Sequence, residues 1–443
     1  MRSSRPASHR AFPINSFFHF RRDPLGFLDR AARVGDVVHW KMYGRTFFLI
    51  NDPELIRAVL VTDDNKFDKL MEASDSLLGK GLTASRAELH RGQRRLMQPG
   101  FRQEQIVSFA ATMVERAERV QSKWHDGAHL DVKMEMERVA LDILGATLLG
   151  HSLAPQAAEI SKAMTMAIGA PPNMIMMGAH AKWIEKLPLP AIRRAAAGRA
   201  VLHAIVDRLI RERRAAQIKP KDLLTILVDA THPNGDGEGM SEQQLHDEVT
   251  NIFIGGFETV SNALAWIWYR LSQHPESQER LHAELDQVLG ERLPALADFP
   301  ALRFTQQVVR ETLRLHPPLW ILWRQVLRDY RLNGSVAPAG AVVLLCPYLV
   351  HRDERFFPEP LRFKPERWTD EFRESLPKFA YFPFGGGSRQ CIGDRFGFME
   401  AALVLATIAK RWRVELEPGY PVVENPMLTL RPKYGLRMIV HAR

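Results

Sequence analysis

Apolar and polar positions change period along this chain, and the changes mark its elements. In "DVVHWKMYGRTFFLIND" (36 to 52) two apolar runs flank Tyr43-Gly44-Arg45, which predicts a β-hairpin with those residues at the turn. Asn51 and Asp52 ahead of Pro53 signal a helix start. From about residue 86 to 316 the spacing is mainly helical, punctuated by Pro171-Pro172, Pro188, Pro190 and "HPNGDGEG" (232 to 239). Ser241 with Gln244 then makes a capping box. The helix it opens runs to about Gln273, roughly 45 Å, enough to cross a domain of this size. Helices follow at about 275 to 289 and 301 to 316. Residues 321 to 350 turn extended, since "VAPAGAVVLLCPYLV" is apolar and β-branched. Residues 358 to 383, rich in proline and aromatics, read as an ordered, irregular meander. A last helix covers roughly 393 to 411, with short strands to the end. There are no internal repeats and no low-complexity linker. The expectation is a mainly α fold with small peripheral β-sheets, built as one large domain over 1–443.

Composition changes this picture little. The 443 residues are 46% hydrophobic and 25% charged, as in ordinary globular chains. That length could hold two or three average domains or one large fold. Two cysteines, Cys346 and Cys391, cannot form a disulfide framework, which points to a reducing, cytoplasmic setting. No stretch approaches the roughly 20 apolar residues that span a bilayer. The nearest, "MTMAIGAPPNMIMMGA", is broken by Pro171-Pro172. The N-terminus is basic and has no acid before Asp23, as in a transit peptide, but Pro6 and Pro13 would break an amphipathic helix there. The net charge of +9 admits a nucleic-acid partner. The basic residues are scattered among acidic ones, however. Anionic groups on a bound cofactor and a docking face for an acidic protein account for them better.

One short stretch carries chemistry: "PFGGGSRQCIGDRFG" (383 to 397). Gly385, Gly386 and Gly387 permit backbone conformations other residues resist, and would let something flat approach the main chain. Cys391 stands near the start of the final helix, where free amides and the dipole favour a thiolate. It could be a nucleophile, a metal ligand or simply a buried cysteine in a turn. Phe384, Gly387, Arg389, Cys391 and Gly393 together fit Phe-x-x-Gly-x-Arg-x-Cys-x-Gly. This resembles the haem-ligand signature of the cytochrome P-450 family. At ordinary composition such a match arises by chance on the order of once in ten thousand chains or less. The resemblance implies haem b (iron protoporphyrin IX) with Cys391 as the iron's ligand, a thiolate being a strong donor that favours O–O cleavage. It further implies that Arg389 meets a haem propionate and that Phe384 packs near the sulfur.

Other features fall in the family's order. Glu311 and Arg314 in "ETLR" are a helical turn apart, and "FKPERW" supplies Arg367. Alone, such a pair is most often a solvated surface pair. The resemblance makes the three a buried structural network behind the haem. His90 and Arg94 in "HRGQRR" share a helix face and would suit carboxylates; read alone they belong to a basic surface helix. The resemblance assigns them, with Arg324 and Arg389, to neutralising two propionates. Where many members have Trp, His90 stands. Gly255 and Gly256 in "GGFETVSN" each cost about 1 kcal/mol in a helix interior. The resemblance explains them as a groove for dioxygen, and makes Glu258 and Thr259 the family's acid–alcohol pair, Glu258 relaying protons from solvent. The bland alternative is a bent helix with a surface glutamate and a back-bonded threonine.

The resemblance spans "DPLGFLDRAARVGDVV" (23 to 38) to "TLRPKYGLRM" (429 to 438). It implies a haem-thiolate monooxygenase that inserts one oxygen atom of dioxygen into a substrate C–H or C=C bond. Electrons would come from a separate ferredoxin or flavodoxin-like donor, docking near Arg91, Arg95 and Arg395, with no reductase fused. Expected pocket walls are 70 to 85, the Met-rich stretch 164 to 184, and positions near Ala263, Ile321 and Leu428. They are largely apolar, so a lipophilic substrate such as a terpenoid, fatty acid or steroid is expected, with no nucleic acid and no membrane span. Trp320 and Trp323 would narrow this pocket or face away. A peroxide-driven or rearranging haem-thiolate enzyme usually lacks the acid–alcohol pair. A non-catalytic basic helical module would leave the cysteine loop, the paired glycines and Arg367 unexplained.

Overall fold

The computed structural model describes residues 16–42, 44–70, 75–168, 187, 189–230 and 239–443. The basic N-terminal segment, Tyr43, most of the Met-rich stretch, Pro171-Pro172, Pro188 and residues 232 to 238 lie outside the described residues.

The expected hairpin forms between Val37–Met42 and Arg45–Ile50, with Val37 opposite Ile50 and Met42 opposite Arg45. Gly44 sits at φ +73°, a conformation that costs glycine nothing. Asp52 caps the helix Pro53–Arg57, its Oδ1 accepting from the Leu55 amide at 2.8 Å. The hairpin is one side of a five-stranded sheet, ordered Val37–Met42, Arg45–Ile50, Val342–Leu345, Leu322–Val326, Phe67–Lys69. In the last pairing Lys69 stands opposite Arg324.

The capping box opens the long helix Glu242–Ser272: the Gln244 amide donates to Ser241 Oγ at 3.2 Å, and the Ser241 amide to Gln244 Oε1 at 3.0 Å. Its middle is buried except at Gly255, Gly256 and Thr259, as expected of a helix crossing a large core. It packs on Val132–Leu148, Pro190–Ala215, Arg303–Leu315 and Asp394–Ala409. The largest hydrophobic cluster lies along these helices, and two smaller ones lie on either face of the five-stranded sheet. The fold is mainly α with small peripheral sheets.

Three local expectations need correction. Strand character ends at Leu345, and Pro347–Val350 is a helix, because proline cannot donate to a ladder but fits a helix's first turn. The meander contains a helix, Asp370–Ser375, whose Phe372 amide donates to Thr369 Oγ1 at 3.1 Å. Within the mainly helical region, Ala128–Asp131 is a strand paired with Arg437–Ala442, too short to show a period of its own.

The meander is fastened to Arg303–Leu315 by Glu311, which is wholly buried, as is Arg314. Glu311 accepts from Arg314 Nε and Nη2 (2.9 and 2.8 Å), Arg367 Nε (3.1 Å), Trp368 Nε1 (2.9 Å) and the Lys364 amide (2.9 Å). Arg314 also donates to the carbonyls of His351, Pro360 and Arg362. Two guanidinium groups thus share one carboxylate, with their other N–H groups on backbone oxygens, the satisfied form of a buried ion network.

Candidate active site

A cavity of about 420 Å³ lies between the long helix, the cysteine loop and the five-stranded sheet, and Cys391 borders it. Cys391 follows a tight turn closed by its own amide donating to the Phe384 carbonyl at 3.0 Å. Its sulfur is enclosed by protein but open to the cavity. Burial dominates and pushes the thiol up to about 11; the Gly393 amide, Arg94 and Lys69 pull the other way. Desolvation opposes the thiolate, while the amide and the cationic side chains favour it. Cys346 is different: it is buried away from the cavity against the Trp320 carbonyl.

The glycines divide their work. Only Gly385 of the three borders the cavity. A Cβ on Gly386 would lie 2.4 Å from the Phe379 ring, and one on Gly387 (φ +68°) 1.6 Å from the Leu60 carbonyl oxygen. Close approach to protein, rather than to a flat ligand, fixes those two.

Beside the cysteine, His90, Arg94, Arg324 and Arg389 converge on the cavity, joined by Lys69, which sequence reasoning missed. Arg94 Nη1 donates to the Gln390 carbonyl at 2.7 Å, and Arg389 Nη1 to the Ser85 carbonyl at 2.6 Å. Lys69 Nζ donates to the Thr83 carbonyl at 2.6 Å. Asp68, 3.6 Å from Arg389, is the nearest acid. Burial, then Arg324 and Arg389, bring Lys69 down to about 7. Burial, then Arg389, brings Arg324 down to about 10. Burial, and then its cationic neighbours, push His90 down to about 3. Like charges directly opposite across a sheet are destabilising, and the Lys69–Arg324 pair is of that kind. Such a cluster fits a group carrying two carboxylates. With a thiol alongside as a soft ligand, the donor set fits haem.

The long helix supplies the rest. Gly255 and Gly256 both border the cavity, but for different reasons. A Cβ on Gly255 would meet nothing within 4 Å, whereas one on Gly256 would lie 2.6 Å from Leu144 Cδ1. One glycine leaves room; the other lets two helices approach. Thr259 borders the cavity and its hydroxyl donates to the Gly255 carbonyl at 2.7 Å, so it is back-bonded and keeps its lone pairs for accepting. Glu258 is only 1% exposed. Its Oε1 accepts from Thr429 Oγ1 (2.8 Å) and Asn262 Nδ2 (2.9 Å), and Arg431 Nη1 stands 3.7 Å away. The surface glutamate of the bland alternative is not found: the carboxylate lies inside a polar network, with Arg431 its cationic neighbour. Thr429 and Arg431 were not legible as partners, since about 170 residues separate them from Glu258 and no local period links them.

Ala263, Ile321 and Leu428 border the cavity, as do Leu70, Leu77, Leu78, Leu82, Thr83, Ala167 and Ile168 from the two expected wall segments; residues 71 to 74 and 169 to 184 lie outside the described residues. Trp320 and Trp323 also border it, and Trp320 Nε1 is held by the Met427 carbonyl at 3.0 Å. Phe384 and Gly393 line the cysteine side. Arg91, Arg95 and Arg395 are exposed, Arg91 pairing with Glu88 and Arg395 Nη1 with Gln103 at 3.2 Å.

Among the described residues no helix is long and apolar enough to cross a membrane. The family model described as "Cytochrome P450" matches residues 12–438. Cyclooctatin synthase of Streptomyces melanosporofaciens is 37% identical over 433 residues, 95% of this chain and 92% of that protein. Cyclooctat-9-en-7-ol 5-monooxygenase of the same organism is 36% identical, covering 90% and 86%. Pentalenene oxygenase of Streptomyces avermitilis is 33% identical, covering 97% and 95%. The crystal structure of the cytochrome P450DA heme domain superposes with a TM-score of 0.85 at 26% identity, covering all of this chain and 98% of that one. The chain belongs to the cytochrome P450 family, and is a monooxygenase that uses haem b.

Proposed function

We propose that this protein, its residues 1–443 folded as a single haem domain, oxygenates a lipophilic substrate, foremost a terpenoid, with fatty acids and steroids next. The observation that carries the reading is one cavity shared by Cys391, the cationic cluster, Thr259 and apolar walls. The names of the relatives support the substrate class: one oxygenates pentalenene, another cyclooctat-9-en-7-ol. When bound, haem supplies the iron at which dioxygen is activated. Cys391 Sγ ligates the iron, and the Gly393 amide tempers the sulfur's charge. Lys69, His90, Arg94, Arg324 and Arg389 hold the propionates. Phe384 packs beside the sulfur. Gly255 keeps the long helix's surface clear, and the Thr259 hydroxyl, on turning away from the Gly255 carbonyl, would hold a proton toward the cavity. Glu258, steadied by Thr429 and Arg431, replenishes that proton. Glu311, Arg314 and Arg367 maintain the fold. Electrons arrive from a separate ferredoxin or flavodoxin-like donor at the face of Arg91, Arg95 and Arg395, in the cytoplasm.

The test is the absorption spectrum of the dithionite-reduced protein with and without carbon monoxide. The far-red-shifted Soret band of a thiolate-ligated haem is expected. A histidine-type spectrum would remove Cys391 from its role, and absence of haem after expression with ample supply would overturn the reading. A spin-state change with terpenoid, fatty-acid and steroid probes then ranks the substrate classes; a response to polar, charged compounds alone would refute the lipophilic assignment.

A further inference from the structure

The segment 78–85 has no ladder of its own, yet it forms a wall of the cavity through Leu78, Leu82 and Thr83. Its amides are taken by side chains from the start of the long helix. The Lys80 amide donates to Asp247 Oδ2 (2.7 Å), the Leu82 amide to Glu248 Oε2 (2.9 Å) and the Thr83 amide to Asn251 Oδ1 (2.9 Å). Asn251 Nδ2 returns a bond to the Leu78 carbonyl at 2.7 Å. Positions 247, 248 and 251 lie on one face of a helix, and all three side chains are at least nine-tenths buried. Loop and helix approach so closely that a Cβ on Gly79 (φ +55°) would lie 2.2 Å from the Asp247 carboxyl, and one on Gly81 2.2 Å from Asn251 Nδ2. The loop has other ties: Gln93 Nε2 donates to the Lys80 carbonyl at 2.8 Å, and the Gly81 and Ser85 amides donate to the carbonyls of Leu78 and Gly81. Lys69 and Arg389 bond the carbonyls of Thr83 and Ser85, but both belong to the cationic cluster and are drawn on by an anion bound there. The bonds to the long helix are independent of that cluster.

We propose that Asp247, Glu248 and Asn251 form a specificity clamp: they fix residues 78–83 against the long helix as a substrate-facing wall, and so set which lipophilic molecules the cavity admits. What the cavity holds rests on the haem monooxygenase reading; the clamp itself rests on the bonds above. These are positioning residues. Glu248→Gln keeps an acceptor for the Leu82 amide, and Glu248→Ala removes it. Gly81→Ala strikes the clamp from the loop side without touching a charge.

The experiment uses the haem-loaded full chain. Amide hydrogen exchange is read over residues 80 to 83, and dissociation constants are read from the Soret shift for imidazole, 4-phenylimidazole and clotrimazole, probes of increasing size. In Glu248→Ala and Gly81→Ala, exchange rises about tenfold and the spread of the three constants narrows by a similar factor, the effect of losing one amide bond. Glu248→Gln stays within about twofold of the parent on both readouts. Faster exchange with an unchanged spread would overturn the specificity role. Unchanged exchange would overturn the clamp, and so would a Glu248→Gln protein that behaves like Glu248→Ala. Parent protein that takes up no haem would overturn the underlying reading and the specificity claim with it; the exchange data would still decide the clamp.

Discussion

The two glycines at the middle of the long helix can be separated by experiment. Replacing glycine with alanine in a helix interior gains about 1 kcal/mol from backbone entropy. At Gly255 the new methyl meets no protein atom within 4 Å, so no protein contact offsets the gain. At Gly256 the methyl would lie 2.6 Å from Leu144 Cδ1, and Leu144 is itself buried, with 1% of its surface exposed. Overpacking of that kind costs about 1–3 kcal/mol, which cancels or exceeds the helical gain. Gly255→Ala should therefore be more stable than the parent, and Gly256→Ala no more stable or less, the pair separated by about 1–3 kcal/mol. The assay is the urea midpoint of the haem-loaded proteins at matched slope, the slope showing that the same surface unfolds in each. The cavity separates them in the opposite sense: the methyl at 255 takes up room beside Thr259, so Gly255→Ala should bind bulky ligands less well despite its stability. Equal stabilities for the two variants would refute the assignment of one glycine to space and the other to helix contact. So would a destabilised Gly255→Ala.

Glu311→Gln leaves the buried guanidinium groups of Arg314 and Arg367 without a carboxylate. The loss should be about 3–5 kcal/mol, a large part of a typical domain's stability, and is read as a collapse in the yield of folded, haem-loaded protein; a parent-like yield and midpoint would show the network to be dispensable. Thr259→Ala removes only one back-bond, so haem content should persist while reducing equivalents are diverted to peroxide. A variant that still couples electrons fully to product would remove Thr259 from proton delivery. Burial, with help from Asp247 and against the Leu82 amide, raises Glu248 from 4.5 to about 7. The folded state thus keeps a proton that the unfolded chain releases. This contribution to stability is present below the unfolded value and is lost as pH rises through about 7. The full difference is about 3 kcal/mol. Glu248→Gln should match the parent near pH 4 and exceed it near pH 8, read as melting temperature against pH; parallel curves for the two proteins would refute the shift.

Much of the architecture was legible because it is local. The hairpin at 37–50, the Asp52 cap, the Ser241–Gln244 box and the extent of the long helix all depend on residues within a few positions of one another, and the structure has them where the spacing put them. Local rules failed where a neighbouring proline or a distant strand decided the outcome, as at Pro347–Val350 and Ala128–Asp131.

The site was legible in a different way. Cys391 and its loop form one contiguous signature, and Glu258-Thr259 a second, so the residue types and their order were fixed by the chain itself. What each group does there depends on what surrounds it. Lys69 joined the cationic cluster only because Phe67–Lys69 pairs with Leu322–Val326 and sets it opposite Arg324. Glu258 is buried in a polar network because the chain after Leu428 brings Thr429 and Arg431 to it. Gly255 and Gly256, identical in sequence, diverge because a helix turns each by about 100° from the last, one to the cavity and one to Leu144. Burial of Cys391, which no sequence window contains, acts against the pull of the amide beside it. The sequence by itself determined most of the elements and the order of the chemistry-bearing residues, which follow from short-range covalent spacing. Only the tertiary structure decided charge state, neighbours and available space, because desolvation and close packing are set by atoms far away in the chain.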